Sequence, residues 1–151
     1  MHVVVPDSFN RDELTAQVHA RHDRNFNCAQ SIICTLGPLM GADEDVCFRL
    51  AEGLGGGLGA HTETCGALLG AAMAASLARS NGCADPTSKL DTYEIVAKMT
   101  GDFRQKHGTA ICSALRMQDT SGATPPRICL ICITDATLLA IDAIEKIRDA
   151  R

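Results

Sequence analysis

The chain reads as all-α: a single-domain bundle of five to seven helices around a central helix rich in small residues. Three observations carry this. Capped segments with helical apolar spacing recur along its 151 residues, a run of Gly and Ala lies near the middle, and no segment with strand character has a partner. Hydrophobic residues make up 46% and charged residues 21%, with no Trp, one Tyr and four Phe. That composition is globular, and its core must be aliphatic and close-packed. One core suits the length, so residues 1–151 are expected to form one domain.

The elements follow in order. Asp12 to Arg24 carries a weak helical stripe through Leu14, Val18 and His22, with His19 and His22 read as solvated. Asn25-Phe26-Asn27 breaks it. Asn27 can cap the next helix, and Gln30 completes a capping-box pattern. Gly37-Pro38 should stop that helix after about Thr35. Asp43 to Glu52 is a third helix with Val46, Phe48, Leu50 and Ala51 as its apolar content.

Five glycines fall within Gly53–Gly59, too many for a rigid element. A dinucleotide-binding loop would need a preceding strand, and none is present. A turn that lets backbone approach a site fits better, with Gly55, Gly56 and Gly57 at its centre.

Thr62 to Ala78 is the strongest helix, with Cys65 in its first turn and Glu63 offsetting the positive helix end. Gly66, Ala67, Gly70, Ala71, Ala74 and Ala75 give it a small-residue face. Asn81–Pro86 is a loop. Leu90 to Lys106 is amphipathic, with Tyr93, Val96, Ala97, Met99 and Phe103 facing in, and it ends at Gly108. His107 sits at the helix C-terminus, where a cation is favourable. A short turn carries Cys112 and Leu115, and 118–126 is polar. The last helix starts near Cys129 or Thr134 and runs to Arg148. Ile128–Ile133 has the β-branched content of a strand as an alternative, but no partner.

Function classes narrow next. Net charge is −4 with no dense basic run, which argues against nucleic-acid binding and a polybasic membrane patch. The longest uncharged run, Cys65 to Leu77, is too short to span a bilayer. The N-terminus lacks the features of a signal peptide, so a cytoplasmic protein is expected. Cysteines stay reduced there, and eight of them point to metal binding or redox cycling more than to a disulfide framework.

Cys28, Cys65 and Cys112 each sit where a helix should begin. Free N–H groups and the helix dipole favour thiolate there. Thiolate binds metals and attacks disulfides. Cys129 and Cys132 have the x₂ spacing of zinc and iron–sulfur sites, a weak signal taken alone. Cys34 and Cys47 lie inside apolar helices and read as core, the usual fate of free cysteine. Cys83 is in a loop. His61 precedes the Cys65 helix and is placed to reach a site there.

Together these residues resemble the C-GCAxxG-C-C proteins. The likeness rests on Asn27-Cys28-Ala29-Gln30, the Gly53–Gly59 run, Glu63-Thr64-Cys65-Gly66-Ala67-Leu68-Leu69-Gly70-Ala71, Cys112 followed by Leu115, and a last cysteine before Asp135-Ala136. It spans about 26–147. Cys65-Gly66 precedes Ala67-x-x-Gly70, so the cysteine stands one place earlier than the literal pattern. The resemblance implies a small helical cytosolic protein with redox or iron–sulfur chemistry on Cys28, Cys65, Cys112 and Cys129. Cys132 would be an extra thiol.

Three functions remain. In the first, the four cysteines hold an iron–sulfur cluster of the two-iron type for electron transfer to a redox partner protein. In the second, two of them, Cys28 and Cys65 foremost, cycle as a metal-free dithiol. Or the four hold zinc in a scaffold protein. An oligomer is compatible with all three.

Overall fold

The computed structural model describes all 151 residues and contains seven α-helices and no strand. They are α1 (Arg11–Asp23), α2 (Cys28–Leu39), α3 (Glu44–Ala51), α4 (Gly66–Arg79), α5 (Lys89–His107), α6 (Cys112–Met117) and α7 (Arg127–Asp149). α4 is the centre, flanked by α2, α7 and α5; α1 lies across α2 and α7, and α3 lies on α2.

Small residues put α4 there. Gly66, Ala67, Gly70, Ala71, Ala74, Ala75 and Ala78 are all buried. A Cβ at Gly70 would stand 2.7 Å from the Ala29 carbonyl oxygen, so α2 and α4 meet almost backbone to backbone. That crossing fixes the start of α2 beside the start of α4.

Several ends differ from expectation. α2 runs through Gly37 and Pro38 to Leu39. Proline's φ suits a helix, and in the last turn its missing N–H costs one bond only. Gly41, at φ +99°, ends the turn instead, with Ala42 N–H donating back to the Gly37 carbonyl. The capping box at the other end is complete: Gln30 N–H donates to Asn27 Oδ1 at 2.8 Å, and Asn27 N–H to Gln30 Oε1 at 2.9 Å.

α4 begins at Gly66, not Thr62, and Cys65 is its N-cap. The preceding residues are extended because they pair with a distant segment. Thr64 bridges Ile111 in antiparallel fashion, Cys65 N–H donates to the Ala110 carbonyl at 2.7 Å, and Cys112 N–H to the Glu63 carbonyl at 2.8 Å. Glu63 therefore stands outside the helix.

The apolar residues of α3 divide between core and solvent, and on α5 the inward face is narrower than the sequence reading gives. On α3, Cys47 and Ala51 are buried while Val46 and Leu50 are 52% and 67% exposed. On α5, Met99 and Phe103 are buried with Ile95 packed beside them, whereas Tyr93 is 63% exposed and Ala97 faces solvent. The stripes compete at helical spacing, and the neighbouring helix selects one. His107 is not merely at a helix end. It is nearly buried, with Nε2 2.9 Å from Asp135 Oδ2, and Lys106 Nζ is 2.9 Å from the other carboxylate oxygen. These pairs join the end of α5 to α7.

Ile128–Ile133 is helical and forms the first turns of α7. With no neighbouring strand its backbone polar groups are satisfied only by helix. No helix is long and apolar enough to cross a membrane.

Candidate functional site

The starts of α2, α4, α6 and α7 converge on one cavity of about 170 Å³. Five cysteines line it: Cys28, Cys65, Cys112, Cys129 and Cys132. Cys65, Cys112 and Cys132 are buried, while Cys28 and Cys129 are half-buried. Each is held by an element already described. Cys28 opens α2 behind the capping box. Cys65 and Cys112 are fixed to each other by the backbone pairing of 63–65 with 110–112. Cys129 and Cys132 lie one helical turn apart, so both face the same side of α7.

The other three cysteines are elsewhere. Cys34 and Cys47 are buried at the α2–α3 contact, with Cys34 Sγ 3.7 Å from the Glu44 carbonyl oxygen, and Cys83 is exposed.

Glycine closes the site. Residues 52–54 form a 3₁₀ turn, and 56–59 follow left-handed backbone, held by the Thr62 and Glu63 N–H groups donating to the Gly57 carbonyl. Gly56 and Gly57 have φ near +60°. A Cβ on Gly57 would lie 2.4 Å from the Cβ of Cys112, and one on Gly66 would lie 2.3 Å from the sulfur of Cys28. Gly56 N–H donates toward the Cys28 sulfur. Gly55 packs against the Asn27 side chain instead, supporting the cap. Asn27 Nδ2–H donates to the Glu52 carbonyl at 2.8 Å, which ties this turn to α2.

The acidities of the thiols diverge. Cys65 is held down to about 7 by a hydrogen bond from the Cys132 thiol, outweighing burial, with help from the Ala67 and Leu68 N–H groups at the start of α4. Cys132 is pushed up as the donor of that bond and by burial. Burial raises Cys28 despite the Gly56 amide, and raises Cys129 despite Arg116. Cys112 is pushed up to about 11 by burial and by the neighbouring cysteines. A helix start therefore yields an acidic thiol only at Cys65. At Cys28, desolvation wins over the amides.

Two basic residues line the cavity, and two further histidines stand nearby. His22 lines it and is half-buried, not solvated, and burial lowers its pKa. His19 is likewise half-buried, with Nε2 2.7 Å from Thr134 Oγ1. Arg116 lines the cavity from an exposed position. His61 Nδ1 is 3.4 Å from Cys112 Sγ. Leu115, Pro125 and Ile128 complete an apolar wall. Sequence reasoning missed His22 as a lining residue, and it placed Cys132 only as the x₂ partner of Cys129. The only signal for Cys132 was its place three residues after Cys129 in a segment that proves helical.

The donors available to a metal or cofactor are thus almost wholly sulfur, the soft set that suits iron–sulfur clusters and zinc. No three Cys, His, Asp or Glu side chains are grouped closely enough to hold a single metal ion. The thiols surround a space instead. One water takes roughly 30 Å³ of liquid, so the cavity has room for a group larger than one ion.

Residues 26–143 match the sequence model of a family described as "Putative redox-active protein (C_GCAxxG_C_C)". The chain belongs to this family. Neither the curated proteins nor the solved structures contain a match to it. As a C_GCAxxG_C_C protein it has a helical fold in which the cysteines at 28, 65, 112 and 129 share one cavity.

Proposed function

We propose that this C_GCAxxG_C_C protein holds an iron–sulfur cluster of the two-iron type on Cys28, Cys65, Cys112 and Cys129 and passes electrons to a redox partner protein. The observation that carries the reading is the convergence of thiols from four helix starts on one cavity. A two-iron cluster asks each iron to take only two cysteine sulfurs, so a ring of thiols around a space suits it. Zinc would instead need its four ligands to close on one ion. When bound, such a cluster supplies one-electron transfer.

The chain's own residues do the rest. Gly66 and Gly57 leave room for the sulfurs of Cys28 and Cys112. The Gly56 amide, directed at the Cys28 sulfur, offsets thiolate charge, and Arg116 offsets more from the mouth. Leu115, Pro125 and Ile128 restrict water. The test is anaerobic reconstitution of the reduced protein with iron and sulfide, followed by visible absorption, electron paramagnetic resonance and iron and sulfide analysis. Bound iron and sulfide with visible colour are expected. A colourless protein that retains neither overturns the reading.

A second reading rests on one specific contact, the hydrogen bond from Cys132 to Cys65. In it Cys65 and Cys132, rather than Cys28 and Cys65, form the metal-free dithiol. Oxidation by a low-molecular-weight disulfide would then proceed by attack of the Cys65 thiolate, release of one thiol, and displacement of the second by Cys132. A mass loss of two hydrogens in wild type, absent in Cys132→Ala, is its signature.

A further inference from the structure

We propose that His61 is a positioning residue of the thiol site, whose Nδ1–H donates to the sulfur of Cys112 and makes the site easier to reduce. The inference rests on the cluster reading and deepens it. The contact is direct, with Nδ1 standing 3.4 Å from Sγ. A thiolate sulfur bonded to metal can only accept, so the ring nitrogen facing it must carry the hydrogen.

The backbone supplies an independent observation. His61 has φ +63°, the left-handed region that a residue with a Cβ occupies only under strain. Glycine would take that conformation freely. Seven of the thirteen glycines in the chain have positive φ, and the adjacent turn is full of them. Position 61 nevertheless carries an imidazole. The turn is pinned at both ends: Thr62 N–H and Glu63 N–H both donate to the Gly57 carbonyl, and Glu63 in turn accepts from Cys112 N–H. The ring lies over Gly56, where an added Cβ would stand 3.4 Å from Cε1. Strain, pinning and the missing side chain at Gly56 all serve to set one nitrogen against one sulfur.

The chemical consequence has a definite sign. Reduction adds negative charge, much of it on the sulfurs. A hydrogen-bond donor aimed at a sulfur stabilises that charge and raises the reduction potential. The Gly56 amide does the same for Cys28 on the other side of the same turn. The glycine turn thus presents one N–H donor to each of two sulfurs.

The experiment compares wild type, His61→Gly and His61→Asn as full-length reconstituted proteins. Glycine keeps the positive φ and removes the donor. Asparagine tolerates the conformation and carries an amide nitrogen where Nδ1 stood. His61→Gly is expected to load the same amount of iron and to be at least as stable to denaturant, yet to show a lower midpoint potential. His61→Asn should recover part of the shift. An unchanged potential in His61→Gly, or a loss of stability that accounts for it, overturns the proposal. If wild type binds no cluster, the function proposed above fails, and a second measurement still decides this one. In the metal-free reduced protein, the ring nitrogen shifts of His61, followed by nuclear magnetic resonance, report which nitrogen carries the hydrogen. A hydrogen on Nδ1, facing Cys112, is expected. A hydrogen on Nε2 alone overturns the proposal.

Discussion

Cys65 and Cys132 face the same cavity, and hydrogen bonding between the two thiols separates them in acidity. One is a thiolate near neutral pH and the other is held protonated. They come from different helices, α4 and α7, so the pair exists only because both helices end at the same cavity.

The first prediction follows from that bond. In the reduced, metal-free protein near pH 7, limited alkylation should label Cys65 ahead of the other four cavity cysteines. Cys132→Ala removes the donor, and the Cys65 pKa should rise toward 9.0. Thiolate fraction falls about tenfold for each unit of rise once the pKa is above the working pH. Peptide mapping with a mass-tagged alkylating reagent checks both points. Faster labelling of Cys28 than of Cys65 would show that the helix start, not the partner thiol, sets reactivity.

Much of this arrangement was legible in the sequence, for identifiable reasons. The Asn27–Gln30 capping box is local, so its residues announce it. The small-residue face of α4 is periodic, so its central place could be read. What escaped depends on distant partners. The start of α4 slipped from Thr62 to Gly66 because residues 63–65 pair with 110–112, which no local pattern reveals. Tyr93 and Ile95 belong to rival stripes of α5, and only packing against α4 and α7 picks one. Cys28 has the dipole expected of it, but burial outweighs it, and depth is not written in the local sequence. Cys132 looked like a spare thiol until the helical phase of 127–133 placed it beside Cys65.

The second prediction concerns pH. Cys65 has a folded pKa of about 7 against an ordinary 9.0, so it binds its proton less tightly when folded. Its contribution is present above pH 9 and is lost as pH falls through 7. Cys112 and Cys34 behave oppositely, pushed up to about 11 and about 12. Their contribution is present below pH 9 and is lost as pH rises from 9 toward those values, because the unfolded chain then releases protons the native state retains. Stability of the reduced, metal-free protein should therefore peak near pH 9 and fall beyond it. Anaerobic guanidinium titrations at pH 7, 9 and 11 measure this. Cys34→Ala should flatten the alkaline fall while removing only one sulfur from the core, at a packing cost on the order of 1 kcal/mol. An alkaline fall that stays as steep in that variant would assign it to other groups.

A third prediction tests the α2–α4 crossing. A methyl group at Gly70 would stand 2.7 Å from the Ala29 carbonyl oxygen and 3.0 Å from its Cα. Both are backbone atoms, so relief requires the helices to part. Gly70→Ala gains a little helix propensity, up to about 1 kcal/mol, but overpacking costs roughly 1–3 kcal/mol. A net loss of stability is expected in denaturant titrations. Gly53→Ala is the control, since nothing lies within 4 Å of its added Cβ. It should be neutral or slightly stabilising.

The last prediction separates the site from the fold. A Cβ at Gly66 would stand 2.3 Å from the Cys28 sulfur, 3.0 Å from the Leu54 carbonyl oxygen and 3.1 Å from the Gly55 Cα. Only the first of these is a side-chain atom that can rotate away. In Gly66→Ala the thiol must swing out of its position, and the turn at 54–55 must shift by a few tenths of an ångström. Alanine suits the helix, so α4 should persist and the helical circular dichroism should be kept. Cys28 is half-buried at the cavity wall, so the displaced sulfur has solvent to turn toward, and its alkylation should quicken. Iron and sulfide uptake should fall sharply, as in Cys28→Ala, with most of the stability retained. Intact uptake in Gly66→Ala would mean that Cys28 is not one of the four ligands, and would move the fourth place to Cys132.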